Sequence, residues 1–140
     1  MSAGADASSV RAASPVKASF AAMTVSLLVL EALWFAFAVP RVYTPLFALV
    51  QGDETVYRPA YGVPAYAILV WALWVLVVSR AESRLGAARD ATAFALVAYG
   101  VYNLTNLATL KRYPLWAAAL DTSWGVCVVN AVVQLSLSTA

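Results

Sequence analysis

The chain has 140 residues, of which 63% are hydrophobic and only 11% are charged, with a net charge of +2. Soluble domains carry about 25% charged residues, so this composition argues against an ordinary soluble fold and indicates a lipid-exposed surface. The chain has no histidine and one cysteine, Cys127, which disfavours a zinc site and excludes haem or chlorophyll held by histidine. No basic stripe recurs, so nucleic acid is not an expected partner. The sequence identifies no cofactor.

The pattern predicts an all-α fold, an integral membrane bundle of four antiparallel transmembrane helices spanning residues 20–138. Residues 1–19 come first and read as a flexible polar tail, although their small, basic, acid-poor composition is also that of an organellar transit peptide. The apolar runs cover residues 20–39, 64–78 with an extension back to 60, 91–110 and 115–137. Pro40 is expected to end the first run, which leaves residues 41–63 as the longest loop. Short connections place both termini on one side of the bundle.

Polar side chains gather at one predicted depth of this bundle. At 1.5 Å per residue, Glu31 lies roughly 12 Å, Asn103 roughly 10 Å and Asp121 roughly 9 Å from the same membrane face. Asn106 lies on the same stripe of the third helix, at roughly 6 Å. We call the whole group the polar layer: Glu31, Tyr102, Asn103, Asn106, Thr109, Asp121 and Trp124.

The polar layer has two interpretations. Polar side chains in membrane helices often serve only to join helices, at roughly 0.6–2 kcal/mol per hydrogen bond. Alternatively, two neighbouring carboxyl groups bridged by asparagine could form a ligand site or a site that holds a proton. Asn130 and Gln134 face away from Asp121 on the fourth helix, and are predicted to contact a partner protein or a second site. Cys127 is expected to be a buried, inert thiol.

The last two helices resemble a known family. Residues 102–111 (Tyr-Asn-Leu-Thr-Asn-Leu-Ala-Thr-Leu-Lys), then Pro114-Leu115, then Asp121 with Trp124-Gly125, are similar to the signature of domain-of-unknown-function family 2177, which groups small four-helix membrane proteins. The first helix is similar too, with the acid Glu31, then Trp34, and Tyr43 just beyond. The resemblance implies the fold and the membrane location, but no reaction.

Two positions depart from the pattern that the resemblance implies. The family usually carries Asp where this chain has Asn103, and Asp where it has Glu31. The first difference removes a charge, which weakens the case for a proton relay through that position.

The sequence is compatible with three functions. The first is a non-enzymatic scaffold or accessory subunit of a larger membrane complex, with the lipid bilayer and other membrane subunits as partners. The alternative is a small transporter or binder of a lipophilic or cationic molecule that uses Glu31. A lipid-modifying enzyme is the weakest, because histidine clusters, metal-binding carboxylate motifs and nucleophile motifs are missing, so we expect no catalytic residues. A bacterial inner membrane and a mitochondrial or plastid membrane fit the sequence equally well.

Overall fold

The computed structural model describes residues 16–139, which fold into four helical rods. The rods contain six α-helices, namely α1 (Phe20–Ala38), α2 (Thr44–Gln51), α3 (Pro59–Leu76), α4 (Arg84–Ala95), α5 (Val101–Thr109) and α6 (Leu115–Ser136). A short 3-10 helix (Val78–Arg80) follows α3. The predicted all-α bundle is therefore confirmed.

The first rod is one continuous run of helix, α1 and α2 joined by a π-turn at Val39–Tyr43. Pro40 lies near the start of this turn, where the wider hydrogen-bonding pattern tolerates its missing N–H. The Thr44 N–H donates to the Val39 carbonyl and closes the turn. The prediction that Pro40 ends the first helix, and that residues 41–63 form a loop, was therefore wrong. Gly52 ends α2 with a left-handed φ of 75°, and only residues 52–58 separate α2 from α3.

Three of the four rods are long and apolar enough to cross a membrane: Phe20–Gln51, Pro59–Arg80 and Leu115–Ser136. The remaining rod joins α4 to α5 through a second π-turn, Leu96–Gly100. It is less apolar because Arg84, Arg89 and Asp90 occupy its first two turns and Asn103 and Asn106 its far end.

Helix α6 is the centre of the bundle and packs against both α1 and α4. Its inner face presents buried valines, which meet alanines that recur every fourth residue along α4: Val128, Val129, Val132 and Val133 against Ala87, Ala91 and Ala95. Small side chains on both faces allow the two helices to approach closely. Helix α3 joins this core only near its C-terminal end, through Leu73 and through Val77, the residue that follows the helix.

The two ends of the described chain meet in a small sheet. Strand β1 (Val16–Ala18) pairs antiparallel with β2 (Leu137–Thr139), and the Ser19 N–H donates to the Ser136 carbonyl at 2.9 Å. Both ends therefore lie on one side of the bundle, as predicted. Of the predicted flexible tail, residues 1–15 lie outside the described part of the chain. Val16–Ala18 form a strand instead.

Candidate functional site

A cavity of about 380 Å³ opens between α1, α3, α5 and α6, with α2 along one side. Its volume is within the range of about 300–1,000 Å³ that is usual for small-molecule sites. The lining residues are Glu31, Trp34, Phe35, Val39, Tyr43, Phe47, Tyr57, Gly62, Tyr66, Tyr99, Tyr102, Tyr113, Asp121 and Trp124. Within the described chain, two acidic and no basic side chains line this cavity.

Glu31 supplies the first carboxyl group, from the middle of α1. Its side chain is only 4% exposed. The Tyr66 hydroxyl donates to Oε2 and the Tyr99 hydroxyl to Oε1, each at 3.2 Å. Glu31 is thus held between a tyrosine of α3 and a tyrosine of the third rod, and none of its described hydrogen-bond partners carries a positive charge.

Asp121 supplies the second carboxyl group, from the second turn of α6. The Tyr43 hydroxyl donates to Oδ1 at 2.5 Å, and the Asn103 amide donates to Oδ2 at 2.7 Å. Tyr43 is itself positioned by the Trp34 indole N–H, which donates to its hydroxyl at 3.1 Å. Three of the four rods therefore meet at Asp121.

Asn103 joins Asp121 to the turn that precedes α6. It is 1% exposed, and its amide also donates to the Tyr99 carbonyl at 2.8 Å. Its side-chain oxygen accepts a hydrogen bond of 2.6 Å from the Tyr113 hydroxyl. Burial raises the pKa of Tyr113, which lies in the turn, so this hydroxyl keeps its proton and acts as a donor.

Aromatic rings form the walls of the cavity. The rings of Trp34 and Trp124 stack with centroids 4.5 Å apart and planes 13° apart, and those of Tyr43 and Phe47 stack at 5.8 Å. The Trp124 indole lies beside the Glu31 carboxyl group, and its buried N–H makes no hydrogen bond within the described chain.

Both π-turns supply a tyrosine to the site. Tyr43 is the last residue of the first π-turn, and Tyr99 lies in the second. A π-turn inserts one extra residue and so changes the direction in which side chains project, which is why such turns occur often at functional sites.

Tyr99 lies against α6 because residue 125 is a glycine. A Cβ atom on Gly125 would overlap the Tyr99 ring. The Trp124-Gly125 pair of the sequence signature therefore does two things: Trp124 forms part of the wall, and Gly125 leaves room for the tyrosine that reaches Glu31.

The structure brings together part of the predicted polar layer. Glu31, Asp121 and Trp124 line the cavity, as does Tyr102, which is half exposed. Asn103 does not line the cavity itself, but it donates a hydrogen bond to Asp121. Asn106 is half-buried and does not line the cavity, and it lies near the Tyr113 hydroxyl.

The other predicted residues make contacts of a different kind. Thr109 is exposed and donates to the Thr105 carbonyl of its own helix. The Asn130 amide donates to the Thr92 hydroxyl of α4. The Gln134 amide donates to the Arg84 carbonyl, and its oxygen accepts from the Arg84 guanidinium. Both amides thus join α6 to α4, whereas the sequence suggested a partner protein or second site.

Cys127 is exposed, so the prediction of a buried thiol was wrong. The core valines Val128 and Val129 occupy the inner face of α6 at this level. The thiol therefore lies on the opposite, outer side.

Sequence reasoning missed Tyr66 and did not place Tyr43 or Trp34 at the site. Tyr43 and Trp34 were already present in the family-like pattern, which was the available signal. Tyr66 offered no such signal, because its helix is almost entirely apolar and has the loosest resemblance to the family pattern.

Comparison with known proteins agrees with this description. A family model described as predicted membrane protein, DUF2177, matches residues 16–137. The chain belongs to this family, as the resemblance implied. Neither the curated proteins nor the solved structures contain a match.

Proposed function

We propose, for this member of the DUF2177 family of membrane proteins, that the cavity binds an organic cation within the bilayer. The observation that carries the proposal is the pairing of two carboxyl groups, Glu31 and Asp121, in one aromatic cavity whose described lining includes no basic side chain. A buried carboxyl group such as that of Glu31 needs a proton or an opposite charge, and the carboxyl group of Asp121 is half-buried. A bound cation would supply that charge.

The aromatic walls favour the same class of ligand. Amine and quaternary ammonium groups are attracted to the faces of Trp and Tyr rings, at about 0.5–2 kcal/mol per ring depending on solvation. Trp34 and Trp124 are already stacked on each other, and Tyr43 is fixed by two hydrogen bonds. The walls are thus ordered before a ligand arrives, which lowers the entropic cost of binding.

Binding is the activity that these side chains support most directly. Both carboxyl groups are engaged by hydroxyl and amide donors. These donors position the carboxyl groups around the cavity.

A scaffold or accessory-subunit role comes second. Its support in the sequence was the lack of a catalytic motif, the unusual N-terminal tail and the outward Asn130 and Gln134. Both of these amides bond within the chain. Purification in mild detergent tests this role: recovery in a large stoichiometric complex would favour it, and a lone monomer or homodimer would count against it.

The cation proposal is tested by calorimetry on the purified protein in lipid nanodiscs, with choline as the probe. Its uncharged isostere 3,3-dimethylbutan-1-ol has the same shape without the charge. We expect choline to bind saturably and the isostere to bind far more weakly. Equal binding of both probes, or of neither, would contradict the proposal.

Replacing Glu31→Gln or Asp121→Asn should weaken choline binding by about tenfold or more. Tenfold corresponds to about 1.4 kcal/mol, which is near the lower end of what one charge-assisted contact contributes. The matched control is Glu54→Gln, which removes a carboxylate from the exposed 52–58 loop and should leave the affinity unchanged. If all three variants bind equally, the carboxyl groups are not the binding site.

A further inference from the structure

A second, apolar hollow adjoins the cavity on the outer surface between α1 and α3. We call it the α1–α3 groove; it has a volume of about 530 Å³ and is lined by Thr24 and Leu28 of α1 and by Val63, Ala67 and Val70 of α3, among others. Gly62 and Tyr66 line both this groove and the aromatic cavity. The two spaces therefore meet at this pair of residues.

The groove exists because α3 is attached to the bundle only near its C-terminal end. Leu73 and Val77 are buried in the core, whereas residues 59–65 are all exposed. At Gly62 a Cβ atom would find nothing within 4 Å. Nothing else in the described chain fills the space between the two helices here.

Tyr66 lies where the aromatic cavity meets the α1–α3 groove, and it contacts one polar and one apolar side chain. Its hydroxyl donates to Glu31 at 3.2 Å, and its ring meets the edge of Phe35 with centroids 6.1 Å apart. A ligand that occupied both spaces would thus have one part near the Glu31 carboxyl group and another in the apolar groove, with only the Tyr66 side chain between them.

The lining of the groove favours an alkyl chain as its occupant. Apart from Thr24 and Tyr66, every residue that lines it is apolar. Along α1 the seven residues from Glu31 back to Thr24 correspond to about 10 Å. A hydrocarbon chain that extended from the cavity along α1 would lie against this apolar lining.

Resting on the cation-binding function, we propose that the ligand is an amphiphile. Its cationic head group occupies the aromatic cavity between Glu31 and Asp121, and one alkyl chain lies in the α1–α3 groove. The molecule enters sideways from the bilayer, past Gly62 and Tyr66. The substrate class is therefore a single-chain lipid or surfactant with an amine or quaternary ammonium head.

Photo-crosslinking in nanodiscs locates the chain directly. The probe is an alkyltrimethylammonium with a diazirine near the end of its chain, and the same chain on a neutral alcohol is the matched control probe. We expect the cationic probe to label residues 24–28 and 63–70, and excess tetramethylammonium to suppress that labelling. The alcohol should label lipid-facing residues broadly, without competition.

A variant that fills only the groove separates the chain from the head group. Ala67→Phe places a ring in the groove and leaves the lining of the aromatic cavity intact, and it should remove the competed labelling while tetramethylammonium still binds. Ala60→Phe is the control, because Ala60 is exposed in the same helix and lines neither space.

The two proposals fail in different ways. Diffuse labelling that tetramethylammonium does not suppress, together with intact tetramethylammonium binding, would overturn the amphiphile inference and leave the cation site standing. Competed labelling that survives Ala67→Phe would also overturn it. Absence of saturable tetramethylammonium binding would overturn the cation site itself, and the amphiphile inference with it.

Discussion

Gly125→Ala should strongly destabilise the protein although it adds a single methyl group. The new Cβ would overlap the Tyr99 ring, and both groups belong to packed helical segments that cannot separate without repacking. Overfilling a packed interior typically costs about 1–3 kcal/mol. Displacing Tyr99 would also remove its hydrogen bond to Glu31. We therefore expect a lower unfolding temperature and weaker choline binding together.

Two further variants show whether the Tyr99 contact is the cause. Gly62→Ala makes the same chemical change where a Cβ meets open space, so it should be neutral or slightly stabilising. Tyr99→Ala should cost less in the Gly125→Ala background than in the wild type, because the overlap is already relieved. Thermal unfolding in one detergent compares the wild type with the three single variants and the double variant. If the double variant loses as much in unfolding temperature as the two single variants together, Gly125 and Tyr99 affect stability independently.

The meeting of Glu31, Asn103 and Asp121 at one level could be predicted from the sequence. Helix rise fixes the depth of each residue once the ends of the helices are known, and the short turn before α6 sets the ends of α5 and α6 almost at one level. Depth alone then brings the two carboxyl groups together. The family-like pattern added that Trp124 and Gly125 belong to the same place.

Helix rise alone could not show whether Asn103 or Asn106 contacts Asp121. Both lie on one stripe of the helix, only about 60° apart at 100° per residue. The choice depends on the π-turn at Leu96–Gly100, which rotates the following helix and directs Asn103 at Asp121. Nothing in the local sequence identifies a π-turn, because the bonding pattern is fixed by packing against α6.

The course of the chain after Pro40 was mispredicted for a related reason. Proline removes one backbone donor and usually ends a helix, but a π-turn absorbs that loss and lets helix continue to Gln51. As a result Tyr43, expected in a loop, reaches Asp121 from a helix. Two undetected π-turns therefore account for most of the difference between the predicted polar layer and the observed cavity.

Asn103→Leu should have the largest effect on stability of any single polar substitution in the site. The leucine has a similar size but leaves Asp121 Oδ2 and the Tyr113 hydroxyl without their partners. Each buried group that loses its hydrogen bond costs about 1–3 kcal/mol. Thermal unfolding should show a large loss. Thr109→Val is the matched control on α5, since Thr109 is exposed and bonds only to its own helix.

Asn103→Asp introduces the residue that the family resemblance implies at this position. It changes the charge of the side chain while nearly keeping its shape. Two carboxyl groups at hydrogen-bonding distance must share a proton or repel each other. The variant should therefore approach wild-type stability at low pH, where a proton lies between residue 103 and Asp121, and lose stability as the pH rises and that proton leaves. Asn103 keeps both amide protons at every pH, so the wild type should lack this dependence. A variant whose unfolding temperature follows the wild type across the whole pH range would show that residue 103 and Asp121 do not form the contact on which the site depends.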